Sequence, residues 1–306
     1  MKSKKTLNVT NTIIEMLYSM QGRTIMNRRA TLFYFSGTGN TWWCAKTLSE
    51  QLEILGVSLS IQSIEQVDRE SVVASIENSA FIGLAYPIYG SDLPQIMKDF
   101  IDDMLPINIA GKQLFIFCTQ LMFSGDGCYA YSLNLMRKLY HVTYSEHICM
   151  PNNVCIKGTP FSYSNDPEVL APVLKRAEKK LKRFAGHIAE GKPTTKGSSY
   201  PARLLGLMQR KPYQNMFERY RDVFSVDGNR CIDCGLCTQI CPSHNLYREG
   251  QIIKTKGVCI LCTRCYNLCP VQAVRYKNRT HPSEKGIPYK GPCPEFRVED
   301  ICRSPN

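Results

Sequence analysis

One pattern constrains this chain more than any other. Cys231-x2-Cys234-x2-Cys237-x3-Cys241-Pro242 recurs as Cys259-x2-Cys262-x2-Cys265-x3-Cys269-Pro270. Three thiols at two-residue gaps sit on one tight loop and can reach three corners of one metal–sulfur cube. The Cys-Pro step then turns the chain, so the fourth thiol points toward a second cube. This is the bacterial spacing for cubane iron–sulfur clusters. It predicts that Cys231, Cys234, Cys237 and Cys269 hold one 4Fe–4S cluster, and Cys241, Cys259, Cys262 and Cys265 the other. Zinc prefers C-x2-C pairs separated by a longer loop. Disulfides need an oxidising compartment, and no secretion signal is legible: Ile13–Met20 is interrupted by Glu15 and lacks a small-residue cleavage site behind it. A reducing, cytoplasmic and anaerobic setting is expected. Cys44, Cys118, Cys128, Cys149, Cys155, Cys293 and Cys302 read as buried or inert thiols, and His244 and His281 as surface residues.

The cysteine repeat occupies one end of 306 residues, a length that allows two domains at about 150 residues each. Charge divides the chain again. Residues 1–165 balance thirteen basic against thirteen acidic side chains. Residues 166–222 carry net +7 and residues 223–306 net +5. The expected organisation is an N-terminal extension (1–29), a first domain (30–165), a basic helical connector and linker (166–222), a cluster domain (223–280) and a tail (281–306). Residues 1–29 read either as a frayed amphipathic helix (Ile14, Leu17, Tyr18) or as a segment ahead of a start at Met26, with the second preferred. No window holds enough uncharged apolar residues to span a membrane. The cluster segment, about 224–280, resembles bacterial two-cluster ferredoxins.

In the first domain, Thr31–Phe35 reads as a buried strand, followed by Ser36-Gly37-Thr38-Gly39-Asn40-Thr41 and a helix to about Leu55. A strand, a Gly/Thr loop and a helix place an anion on free backbone N–H groups. The loop has neither the Lys of a nucleotide P-loop nor the third Gly of a dinucleotide fingerprint, so it suits a single phosphate held without a cationic side chain. Further strands are expected at Val57–Ile64, Ser79–Tyr86, Gln113–Cys118 and His141–Met150, with helices near 93–104 and 125–139. This alternation predicts a doubly wound, five-stranded parallel α/β sheet, with ligand loops at the C-terminal strand ends.

On Ser36–Thr41 and on Tyr86-Pro87-Ile88-Tyr89-Gly90, the stretch 30–165 resembles the flavodoxin family. The resemblance implies FMN, with its phosphate on Ser36–Thr41. Tyr86 and Tyr89 are then candidate ring contacts, within the loop that also holds Pro87, Ile88 and Gly90, and Gln120, Leu121, Met122 and Phe123 stand behind them. Trp42 or Trp43 reaches the flavin or packs the helix. The stretch is neutral where flavodoxins are usually acidic.

Asp166–Glu190 reads as an amphipathic helix with Lys175, Arg176, Lys179, Lys180, Lys182 and Arg183 on its polar face, and Gly191–Ala202 as a linker. No nucleic-acid reader motif accompanies the charge, and an acidic redox protein, as donor or acceptor, accounts for it by steering. Together these parts resemble fusions of a flavodoxin-like domain with a two-cluster ferredoxin, which implies electron transfer between FMN and the clusters. The rival readings are an FMN-dependent reductase of a small organic substrate, with the Met122–Cys128 loop, Asn152 and Asn153 lining its pocket, and a redox-sensing or nucleic-acid-binding module with structural clusters.

Overall fold

The computed structural model describes residues 28–156 and 161–302. The expectations for the segment before Arg28, including a start at Met26, lie outside the described residues. Strands β1 (Arg28–Tyr34), β2 (Val57–Ser63), β3 (Phe81–Pro87), β4 (Gln113–Gln120) and β5 (Val142–Cys149) form a parallel sheet in the order β2-β1-β3-β4-β5. This is the flavodoxin-like order, whose ligand crevice lies beyond the C-terminal ends of β1 and β3.

The helices are α1 (Asn40–Ile54), α2 (Arg69–Glu77), α3 (Gln95–Asp99, continued by a π turn at Phe100–Met104), α4 (Ser132–Arg137), α5 (Pro167–Ala189) and α6 (Tyr200–Arg219). Strand residues alternate between two faces. Leu32, Tyr34, Phe115 and Phe117 pack with Leu48 of α1 and Leu181 and Phe184 of α5. Phe33, Phe35, Leu84 and Ile116 pack with Val72 of α2, Met97 of α3 and Leu135 of α4. Both faces are covered, which is why the strands read as nearly unbroken apolar runs.

Three expectations change here. The sheet has six strands, because Thr194–Thr195 (β6) pairs in parallel with Tyr144 and Ser145 of β5. The segment expected as a linker therefore returns to the sheet. The basic helix is not a connector either. Asp166 caps α5 by accepting from Glu168 N–H, and Leu181, Phe184 and Ile188 bury its apolar stripe on the sheet. Lys175, Arg176, Lys179, Lys182 and Arg183 are left at the surface. The helix expected near 125–139 shrinks to a 3-10 turn at Gly127–Tyr129 followed by α4.

The cluster region repeats itself in space. Strand β7 (Phe224–Val226) pairs antiparallel with β10 (Val274–Tyr276), and β8 (Leu246–Glu249) with β9 (Ile252–Thr255). Each cysteine run carries one short helix, α7 (Leu236–Gln239) or α8 (Arg264–Leu268). The last segment is not a free tail. Phe296 and Ile301 are buried with α1 and the sheet, Ser63 Oγ donates to Ile301 O at 2.7 Å, and Tyr34 Oη to Asp300 O at 2.8 Å.

Candidate cofactor sites

A cleft of about 120 Å³ lies beyond the ends of β1, β3 and β4. Ser36, Gly37, Thr38, Asn40 and Thr41 form one wall, Pro87, Ile88, Tyr89 and Thr119–Leu121 another, and Asn152 and Asn153 a third. No Lys or Arg lines it. Ser36 Oγ accepts from Gly39 N–H at 3.2 Å and Trp42 N–H at 3.3 Å, bending the loop over the start of α1. Asn153 Nδ2 donates to Thr38 Oγ1 at 2.8 Å. Among the described residues, no main-chain or side-chain acceptor meets the N–H groups of Gly37, Thr38, Asn40 and Thr41.

Arg264 explains which way that loop faces. It is fully buried, and each of its five N–H donors has an acceptor. Nε donates to Gly37 O at 2.9 Å and Nη2 to Ser36 O at 2.6 Å. Nη1 donates to Ile240 O at 2.9 Å. The remaining donors make a fork to Glu65, at 2.8 and 2.7 Å. Burial works against the guanidinium charge, and Glu65 more than offsets it. A trans peptide holds C=O and the next N–H on opposite sides. By drawing the Ser36 and Gly37 carbonyls toward α8, Arg264 turns the Gly37 and Thr38 N–H groups the other way.

The cluster loop also enters the cleft directly. Leu261, Cys262 and Thr263 line it, and a Cβ on Gly37 would lie 2.6 Å from Tyr89 Oη and 3.2 Å from Cys262 O. A side chain at Gly37 would press on both loops. The Tyr89 hydroxyl is buried without a hydrogen-bond partner. Burial, reinforced by Cys262, pushes its pKa well up, so it remains an O–H donor at neutral pH. Orphaned N–H groups and an orphaned phenol in one uncharged cleft fit a phosphate ester and its attached chain.

Two further cavities collect the eight motif cysteines. Cys231, Cys234, Cys237 and Cys269 line one, and Cys241, Cys259, Cys262 and Cys265 the other. Each fourth cysteine thus stands with the distant run. The sulfurs of Cys241 and Cys269 accept N–H bonds in matching places, from Asn245 and Ala273, both at 3.2 Å. Burial and then Cys269, Cys231 and Cys234 push the Cys237 thiol up to about 11. Burial and the neighbouring thiols likewise raise Cys265. Thiols this crowded resist ionising together, and iron cations at their centre remove that penalty, so the donor sets fit iron–sulfur clusters.

The structure divides the other candidates. Tyr86 is not in the cleft: it is fully buried in the core beneath the sheet, where its hydroxyl reaches Cys128 O. Gly90 packs on Tyr213. Met122 and Phe123 are exposed and do not line the cleft. Gly39, at φ +95°, turns its missing Cβ toward Phe296 and Pro292 rather than into the cleft. Trp42 packs on Phe296, with ring centroids 5.4 Å apart. His281 is buried between the Tyr163 and Tyr266 hydroxyls. Arg264, Glu65 and Arg210 carried no sequence signal, since an isolated Arg or Glu shows nothing of its partner.

Helix α6 closes the same end of the sheet. Arg210 forks onto Asp126 at 2.7 and 2.8 Å and donates to Ser91 O at 2.9 Å. Gly206 meets the backbone of Gly125 with no room for a side chain on either. The loops after β3 and β4 are therefore strapped down by a helix that leads into the cluster region.

A family description, the 4Fe–4S binding domain, matches residues 224–247. A curated relative, pyruvate synthase subunit PorD of Thermotoga maritima, is 38% identical over 60 residues, covering 19% of this chain. The chain spans 61% of that relative's length. Among solved structures, the flavodoxin 2 of Bacillus cereus is 20% identical over 53% of this chain and 99% of its own, with TM-score 0.40. Megasphaera elsdenii flavodoxin is also 20% identical, over 53% of this chain and 98% of its own, with TM-score 0.36. The rubredoxin oxygen:oxidoreductase of Desulfovibrio gigas is 14% identical over 55% of this chain and 36% of its own, with TM-score 0.39. The architecture is a parallel sheet with the flavodoxin-like strand order, followed by a region whose residues 224–247 match the 4Fe–4S binding domain. No helix among the described residues is long and apolar enough to cross a membrane.

Proposed function

We propose that this protein carries electrons along one line: from a redox partner to a first 4Fe–4S cluster, to a second, and to FMN. The observation that carries the reading is Cys262, which belongs to one cysteine set and also lines the phosphate cleft. FMN exchanges one or two electrons and each cluster one, so the assembly would convert between the two modes. Ser36–Thr41 and Asn153 would hold the phosphate end. At about 120 Å³ the cleft is below the ~300 Å³ where ligand sites begin. Tyr89 separates it from a cavity of about 520 Å³ that Cys259 and Ile260 also line.

Electrons would enter at the other cysteine set, where Cys234 and Ile232 are exposed. An acidic redox protein would suit the basic face of α5. The test begins with anaerobic purification and counts of iron, sulfide and flavin; eight iron and one FMN per chain are expected. A Gly37→Ala variant should keep its iron and bind FMN more weakly, because its Cβ would press on Tyr89 Oη and Cys262 O. Equal flavin affinity in that variant would overturn the phosphate assignment. Flavin reoxidation by a small organic acceptor, with no protein partner, would instead assign the larger cavity to a substrate.

A further inference from the structure

Cys118, Cys128 and His147 belong to neither cysteine set and do not line the phosphate cleft. Cys118 and His147 are register partners on the parallel strands β4 and β5. Their side chains therefore leave the sheet on one face, side by side. Cys128, in the 3-10 turn after β4, closes over them. One donor atom from each of the three lies within 4.8 Å of the other two. All three residues are buried.

Two glycines stand against the imidazole, where a side chain would collide with it. A Cβ on Gly127 would lie 2.6 Å from His147 Nε2 and 2.7 Å from Ser124 Oγ. A Cβ on Gly197, just beyond β6, would lie 2.9 Å from the same nitrogen. His147 Nε2 accepts the Cys128 N–H at 3.3 Å, so in this geometry it carries a lone pair and no proton. The Cys128 sulfur lies within hydrogen-bond reach of Ile116 O and Glu146 O, at 3.6 and 3.4 Å, and beside the Cys118 thiol.

We propose that Cys118, Cys128 and His147 bind one zinc ion, with Ser124 Oγ or a water as the fourth donor. Two sulfurs and an imidazole nitrogen are a zinc donor set. A tetrahedral ion with Zn–S ~2.3 Å and Zn–N ~2.0 Å draws its donors to within about 3.7 Å of one another. Side-chain rotation covers that adjustment. Each thiol loses its proton on binding, and both protons go to solvent. Two thiolates, one neutral imidazole and Zn2+ sum to zero charge, the state a site this buried tolerates best. A disulfide between Cys118 and Cys128 would leave His147 without a role, and a 4Fe–4S cluster would lack thiolates. The ion would pin the turn at Ser124–Cys128 to β4 and β5. Thr119–Leu121, which flank the phosphate cleft, and Asp126, which anchors α6, would be held with it.

The test uses anaerobically purified holoprotein from cells supplied with zinc. About one zinc per chain should survive desalting, alongside the cluster iron. Zinc-edge X-ray absorption should show two sulfur ligands near 2.3 Å and one nitrogen near 2.0 Å. Cys118→Ser and His147→Gln should each lose the zinc and keep the iron. Absence of retained zinc in the wild type overturns the proposal. So does unchanged zinc in both variants, or a four-sulfur shell, which would put zinc in a cluster set. A mapped Cys118–Cys128 disulfide in the anaerobic protein overturns it too. Should the variants fail to fold, the wild-type absorption edge decides alone.

Discussion

One buried guanidinium ties the second cysteine run to the loop after β1. Arg264 has no contact with solvent, and its charge is tolerable only because Glu65 and three carbonyls take all five donors. Lysine would keep the charge but offer one nitrogen in place of a planar fork. Arg264→Lys should therefore free the Ser36 and Gly37 carbonyls, let their peptides rotate, and weaken FMN binding more than it lowers iron content. Arg264→Leu leaves Glu65 buried and unpaired, and should cost about 3–5 kcal/mol. Flavin titration and denaturant unfolding of the iron-loaded protein measure the two effects. If Arg264→Lys binds FMN as the wild type does, the loop is oriented by something else.

Among the elements, the two cysteine runs and α6 matter most. Each run supplies three cysteines to one cavity and one to the other, because the chain turns at Pro242 and Pro270. Cys241→Ala should thus damage the cluster built on the second run, and Cys269→Ala the one built on the first. Cys262→Ala and Cys234→Ala serve as references, read by the spectroscopic signatures of the two clusters. Should Cys241→Ala match Cys234→Ala, the crossed assignment fails. Helix α6 depends on Asp126, whose side chain is only 5% exposed. Asp126→Asn keeps the shape but leaves Arg210 unpaired, with an expected cost of about 3–5 kcal/mol. Faster amide exchange across 200–219, with β8 and β9 unchanged, would show α6 lifting from the loops after β3 and β4.

Across the whole molecule, the C-terminal segment closes a circuit from the cluster region back to the first strand. Phe296 lies on Trp42, and Tyr289 Oη donates to Asn40 Oδ1 at 2.7 Å, at the start of the phosphate helix. The two regions should then unfold together. Phe296→Ala should destabilise the protein by about 3–5 kcal/mol, as buried aromatic truncations do. It should also loosen the Gly39 turn that packs on that ring. Denaturant midpoints followed by flavin and by cluster absorbance should shift together. A cluster signal that stays at the wild-type midpoint would show independent units.

The sequence by itself determined whatever is written locally. Cysteine spacing is a short-range geometry, so the two sets of four thiols that line the paired cavities were legible from Cys231 to Pro270. The strand–Gly/Thr loop–helix order is equally local, and so are the five apolar strands, whose alternation with helices implies the parallel sheet. Thr194–Thr195 carries no legible signal because two residues show no periodicity, and the apolar stripe of α5 does not say which surface it will cover. Only the tertiary structure decided that Cys262 faces the cleft beside Ser36–Thr41, that Tyr86 is core while Tyr89 is wall, and that Arg264 answers Glu65 across 199 positions. It also set Cys118 opposite His147. Contacts of this kind depend on how the sheet, α6 and the cluster loops are brought together in space, and spacing along the chain does not encode that.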